Sequence, residues 1–566
     1  MDPVSMCRDK LVIPTYWIQE EEPMADKLMI GRRTFIKGTL AASALAALAA
    51  CKNTGGAAGG SKKGGTMKFF ITEPVAIDPY NVQESEGTQV EHCLFDSLTF
   101  FDWKKKELVP MAAASWKGND DATEFTFTLV KGAKFHNGEP VDSKSFKRAW
   151  ERILDTKMKT PSEIAYHLDP IVGAAEMKEG KATELAGVEC PDDLTLVVKM
   201  VAPTADFPYI VSHPGLAPVP QAALDDPDAF LLAPIGNGPF KMKGKWESGQ
   251  YIDVVRFDDY YGEKAKLDGV HFSIQKDPNT GFNEFTAGNL DFTHIPTGRI
   301  GETIKQYGKA DDGYTATPGK QTLTGTCASI YYLVMNLQDK TMSDINVRRA
   351  ISLAINRQNI NDTLYEGSRT VADGLFPSLI DDSKDNIWPY AKYDPEAAKK
   401  IVKDNNLTGT ELVLSYNTGG GHEDLMTIIL GDLEKVGFKV KQNTLEWAAY
   451  LSKLGDGSIS LGRLGWNADY PTMDNFIYPN FYSKAENNYS KYNNPEVDKE
   501  ILAARQITDD AKRREAYRKI NKMIGEDVPI IPIFFYANSH VASANVGSVY
   551  FSPVQNADFA RAEMKA

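Results

Sequence analysis

Cysteine is scarce in this chain. Five occur among 566 residues, at positions 7, 51, 93, 190 and 327, and none forms a C-x-x-C pair. Histidine is scarce too, with eight residues dispersed along the chain and no metal-ligand spacing among them. There is no H-E-x-x-H, since His422-Glu423 continues Asp424-Leu425-Met426. G-x-S-x-G and G-x-x-x-x-G-K-[ST] are also missing. These absences count against an exported peptidase or glycosidase, and the many carboxylate pairs, such as Asp258-Asp259, are what any acidic chain carries. Basic charge is in deficit. The net charge of −13 argues against a nucleic-acid scaffold, which needs basic clusters. Long hydrophobic runs are missing as well. The main apolar run, Gly38 to Ala50, is too short for a membrane core that takes about 20 residues to span. No internal repeat is present.

That short run is nonetheless informative. Arg32, Arg33 and Lys37 precede it and small residues follow, the layout of an export signal. Leu48-Ala49-Ala50-Cys51 resembles a lipobox, in which the cysteine is acylated and becomes the first residue. Arg32-Arg33-Thr34-Phe35-Ile36-Lys37 resembles a twin-arginine export motif, although general secretion signals also carry paired basic residues. Residues 29–50 are therefore expected to be a lipoprotein signal peptide, with translation starting at Met29 and residues 1–28 a spurious or disordered extension. Residues 51–65, rich in Gly, read as a flexible tether. With Cys7 before the start and Cys51 lipidated, Cys93, Cys190 and Cys327 allow at most one disulfide.

The body has 42% hydrophobic residues, enough for more than one core. Glu124 to Leu129 alternates polar and apolar residues, as a half-buried strand does. Asp142 or Ser143 can cap a helix that places Phe146, Ala149, Trp150 and Ile153 on one face. Phe240 to Trp246, Tyr251 to Phe257 and Val270 to Ile274 read as a strand meander. Tyr331 to Asn336 is a continuous apolar strand. Strand Glu411 to Tyr416, helix Asp424 to Val436 and strand Lys439 to Asn443 form a β-α-β unit, which favours a parallel pair. The fold class is mixed α/β with several lobes.

Several segments, in order, resemble one family across nearly the whole chain after the tether. They are Phe125-Thr-Phe-Thr-Leu-Val-Lys-Gly-Ala-Lys-Phe-His-Asn-Gly138, Gly236-Asn-Gly-Pro-Phe240, Asp344-Ile-Asn-Val-Arg-Arg-Ala-Ile351, Gly465-Trp-Asn-Ala-Asp-Tyr470 and Pro529-Ile-Ile-Pro532. The family is the solute-binding component of peptide and nickel ABC importers, solute-binding protein family 5. Within it the resemblance runs to the periplasmic oligopeptide-binding members. It implies a two-lobed periplasmic-binding-protein-like fold with mixed sheets, an extra inserted subdomain and a hinge. Residues 66–98, 216–335 and 539–566 would form lobe I, 99–215 the inserted subdomain II, and 336–538 lobe III, with hinge crossings near Ile330 and Ala537.

The resemblance also implies site residues. Asp469 corresponds to an aspartate that pairs with a peptide α-ammonium. An ammonium enclosed between lobes loses its water and needs an anion. Outside the motif, such an aspartate would simply make a turn before Tyr470-Pro471. Arg463 stands where a peptide carboxylate is gripped, which suits its bidentate fork. An arginine at a solvated strand edge is the alternative. His422 would take the carboxylate of a ligand one residue longer, although a lone histidine is more often structural. Asn417 and Trp447 match cleft-lining positions, Trp466 is counted with the binding residues, and the main-chain groups of Gly465, Asn467 and the segment around Gln83 to Ser85 would bond the peptide backbone.

The implied partners are short peptides, the permease subunits of an ABC importer, and the membrane through the lipid on Cys51. No cofactor, metal or nucleic acid is expected, and the protein is expected to be monomeric. A dipeptide, nickel-chelate or other small-solute receptor remains an alternative, as does a peptide-sensing surface receptor.

Overall fold

The computed structural model describes residues 64–565. The expectations placed on residues 1–63, the signal peptide and Cys51 among them, lie outside the described residues. Among the described residues no helix is long and apolar enough to cross a membrane.

Two large sheets organise the mixed α/β fold. The first has seven strands, in the order Thr322–Leu323, His540–Ala542, Phe292–His294, Thr66–Ile71, Gly269–Ile274, Tyr251–Arg256 and Phe240–Met242. Its centre is Thr66–Ile71, paired in parallel with Gly269–Ile274. Met67, Phe69 and Ile71 alternate into the core, where Phe69 stacks on Phe292 at 5.1 Å. The expected meander is present, but its first strand ends at Met242 rather than Trp246. Gly244, at φ 83°, turns the chain there.

A four-stranded antiparallel sheet, Ala113–Gly118, Glu124–Leu129, Thr195–Lys199 and Val188–Asp192, forms within the inserted region. Phe125, Phe127 and Leu129 are the buried face of its second strand. The following helix, Ser143–Leu154, starts at Asp142, whose side chain accepts from the Ser145 N–H in a capping box. Phe146, Ala149, Trp150 and Ile153 are buried, as expected. Arg152 on this helix pairs with Asp78 at 2.5 Å, both side chains almost wholly out of water. Such a pair anchors the insert, because removing one partner would strand the other charge.

The second large sheet has six strands: Thr370–Val371, Ile530–Ala537, Thr326–Met335, Leu461–Asn467, Glu411–Asn417 and Lys439–Leu445. Nine of the ten residues in Thr326–Met335 are buried, since the strand is flanked on both edges and covered on both faces. Its apolar run follows from that position. Glu411–Asn417, helix Glu423–Lys435 and Lys439–Leu445 form the β-α-β unit, with the two strands parallel.

The sheets correct one boundary. Thr326–Met335 bonds to Leu461–Asn467 and Ile530–Ala537, so it belongs to the second sheet, not to the lobe that was expected to run to residue 335. The chain changes sheets between Leu323 and Thr326, and again between Ala537 and His540. Cys93, Cys190 and Cys327 are all free, so the one disulfide they allowed is not formed.

Candidate ligand-binding site

Between the sheets lies a cavity of about 1300 Å³. Its wall includes Gln83, Ser85, Asn417, His422, Trp447, Arg463, Gly465, Trp466, Asn467 and Asp469, so the fold brings together every binding residue expected from sequence.

Strand Leu461–Asn467 explains much of this. Its alternation leaves Arg463, Gly465 and Asn467 partly exposed and buries Leu464 and Trp466. Trp466 borders the cavity, but its indole packs into the second lobe's core and its Nε1 donates to Asn475 Oδ1 at 3.1 Å. It thus lines the cavity and also supports Asn475. Gly465 is where backbone must come close. A Cβ there would stand 3.2 Å from both the Ile330 carbonyl oxygen and Tyr536 Oη. Glu411–Asn417 pairs with this strand only at Leu461 and Gly462 and then diverges. Among the described residues, no strand covers that edge from Arg463 to Asn467, so it offers main-chain groups to an extended ligand.

Asp469 follows directly. Its Oδ2 accepts from Tyr166 Oη at 2.8 Å and from Asn475 Nδ2 at 2.7 Å, while its own N–H donates to Asn475 Oδ1 at 2.9 Å. Among the described residues, Oδ1 is left with only His213 Nε2, at 3.8 Å. Burial pushes the carboxyl up to about 6, against the bonds from Asn475 and Tyr166 that favour the anion. Among the described residues, no lysine or arginine nitrogen comes within 4.0 Å of it.

Two histidines sit beside Asp469, which the sequence did not suggest. His167 and His213, from distant segments, pack with ring centroids 4.6 Å apart at a tilt of 35°, and their nitrogens lie with the Asp469 carboxylate within 4.8 Å of one another. Dispersed in sequence, they form a cluster in space that the spacing did not reveal. The donor chemistry still does not suit a metal. His213 Nδ1 accepts the Gly215 N–H at 3.1 Å, so its proton sits on Nε2, the atom facing Asp469. Burial holds His213 down to about 3 and His167 well below the ordinary range. Both are neutral at pH 7 and neither compensates the carboxylate.

The remaining residues group around Arg463. Its Nε donates to Asn417 Oδ1 at 2.8 Å, and its guanidinium lies over Trp447 at 5.1 Å and Tyr331 at 5.8 Å. His422 Nδ1 lies 3.3 Å from Tyr331 Oη, and burial, with the charges of Arg463 and Arg369, keeps this ring neutral. Asn467 Nδ2 donates to Ser85 Oγ at 3.0 Å and its Oδ1 accepts from Gln555 at 3.2 Å, bridging the lobes. Sequence reasoning missed Tyr166, His167, His213 and Asn475. Only Asn475, six residues after Asp469, was near a motif.

With this geometry in place, comparison with known proteins is decisive. Residues 107–488 match the model for bacterial extracellular solute-binding proteins, family 5. The chain belongs to that family. It is therefore a binding protein rather than an enzyme. The oligopeptide-binding protein OppA of Bacillus subtilis is 27% identical over 516 residues, covering 87% of this chain and 92% of the relative. The periplasmic oligopeptide-binding protein OppA of Haemophilus influenzae is 30% identical over 501 residues, covering 84% and 88%. A crystal structure of H. influenzae OppA in complex with RPPGFSPFR superposes with a TM-score of 0.77 at 26% identity, covering 88% of this chain and 99% of that one. The two-lobed fold is thus the family's own.

The carboxyl of Asp469 sets a pH dependence. In the empty protein it binds a proton below about pH 6. Because its folded value is raised above the ordinary 3.8, its contribution to the empty fold is lost as pH rises to about 6. A bound cation requires the anion, so affinity runs the other way. Calorimetry should show affinity for a cationic amine holding above about pH 6 and falling by about tenfold per unit below it. Asp469→Asn should abolish that limb.

Proposed function

We propose that this protein captures short peptides outside the cytoplasmic membrane for an ABC importer. The observation that carries the reading is Asp469, a buried carboxylate held by two neutral donors, with Oδ1 turned to the cavity and no cation beside it among the described residues. A desolvated anion of this kind is costly until it meets a positive donor. A peptide α-ammonium supplies one, through a charge-assisted bond of about 2.8 Å. Tyr166 and His213 reach Asp469 from the other side of the cleft, so the ammonium site is complete only with the lobes together.

Arg463 takes the ligand's carboxylate. With Nε held by Asn417, its two Nη groups carry no bond among the described residues and form the fork. His422 receives the carboxylate of a longer ligand. The open edge from Arg463 to Asn467 bonds the peptide main chain, which all sequences share. Water in a roomy cavity can then meet varied side chains at about 0–2 kcal/mol each. Ligand stabilises the closed form by hinge motion, and the permease recognises that form. The names of the OppA relatives agree with peptides as the ligand class.

Free and N-acetylated tripeptides should separate sharply in calorimetry. Acetylation removes the ammonium and should cost about 3–5 kcal/mol, as should Asp469→Ala with the free peptide. Equal affinity for the two peptides would remove Asp469 from this role.

Attachment to the membrane follows from Leu48-Ala49-Ala50-Cys51. Two or more acyl chains on Cys51 would anchor the protein durably, at about 0.8 kcal/mol per buried methylene. The wild type should fractionate with membranes and Cys51→Ser should not. A protein that stays membrane-bound after this change is not anchored through Cys51.

A further inference from the structure

A second stretch of the cavity wall has the opposite chemistry to the Asp469 site. His294, His422, Arg463, Tyr536 and His540 line it. Arg369 lies behind, its guanidinium 4.8 Å from the Tyr536 ring and 4.0 Å from Tyr365. The His294 and His540 rings meet edge to face at 5.2 Å. Four buried nitrogens here have no hydrogen-bond partner in the protein: Arg369 Nη1, His294 Nδ1, His422 Nε2 and His540 Nδ1. Among the described residues, no carboxylate oxygen lies within 4.0 Å of Arg369 or Arg463. Buried polar nitrogens are rarely left unmet, and a gathering of them, each histidine able to present an N–H, beside two uncompensated guanidinium groups points to an anion.

One terminal carboxylate does not use this wall up. It has two oxygens, which the Arg463 fork or His422 can meet. Arg369, His294 and His540 remain. Arg369 does not itself line the cavity; it is held behind Tyr536 by aromatic faces rather than by an acid, so the protein leaves its charge uncancelled. That charge is felt at His294, His540 and His422, where it adds to burial in keeping the rings neutral. An incoming anion would offset it and accept from the ring N–H groups.

We propose that His294 and His540, with the Arg369 charge behind them, form a second anion subsite, which takes the acidic side chain of a peptide's last residue while Arg463 or His422 holds the terminal carboxylate. The ligand class becomes short peptides ending in Asp or Glu. This inference rests on the peptide-binding reading above.

Calorimetry of the mature protein with matched peptides ending in Glu or Gln, three to five residues long, tests it. At one or more lengths the Glu peptide should bind roughly tenfold tighter or more, the scale of a charge-assisted contact. Arg369→Met, and separately His294→Gln with His540→Gln, should bring the Glu-to-Gln ratio toward one. If one variant fails to fold, the other and the wild-type ratio still decide. Equal affinity for Glu and Gln peptides at every length overturns the subsite and leaves peptide binding standing. So does a ratio that survives in a folded variant, or a Gln peptide one residue longer that matches the Glu peptide, which would assign the wall to terminal carboxylates. If no free peptide binds at all, the peptide-binding reading fails and this inference falls with it.

Discussion

A buried negative charge without a positive partner is the constraint around which this molecule is arranged. Asp469 is held by Tyr166 and Asn475, dipoles that favour the anion without cancelling it. Every group that fixes it is itself fixed. Asn475 is oriented by the Trp466 indole and by the Asp469 N–H, and Trp466 is set by core packing on the far face of its strand. The side of Asp469 facing the cavity is the side left unfinished. A folded protein tolerates such a deficit where a ligand completes it.

The same deficit ties the lobes to the ligand. Several contacts cross from the first sheet and the inserted region to the second lobe: Tyr166 to Asp469, Asn467 to Ser85, Tyr478 to Asp169 at 2.7 Å, and Arg513 to Asp206 at 3.1 Å. Lys178 reaches Glu486 across the same divide. Each is a modest term, and together they describe a closed arrangement in which no single lobe owns the site. The charges are also sorted within it. Asp469 has no lysine or arginine within 4.0 Å, and Arg463 has no carboxylate within that distance, among the described residues.

Much of the scaffold was legible in the sequence because local pattern and burial agree there. Phe125, Phe127 and Leu129 alternate as the strand does, and Asp142 caps the helix that follows. The apolar run around Tyr331 announces a strand covered on both faces. The wall formed by Gly465, Asn467 and Asp469, with Arg463 just before them, was legible because one short motif anchors it. What failed did so for physical reasons. The lobe boundary was misplaced because a strand that crosses between sheets looks the same on both sides of the crossing. Tyr166, His167 and His213 left no signal, since only folding brings them to Asp469. Trp466 does border the cavity, while strand alternation also sends its indole into the core.

A crystal structure of the protein grown with a free tripeptide tests the central claim most directly. The account predicts the peptide's terminal nitrogen about 2.8 Å from Asp469 Oδ1, with the chain extended along Arg463 to Asn467. A bound peptide whose amino terminus lies elsewhere, with Asp469 facing solvent or another protein group, would contradict it.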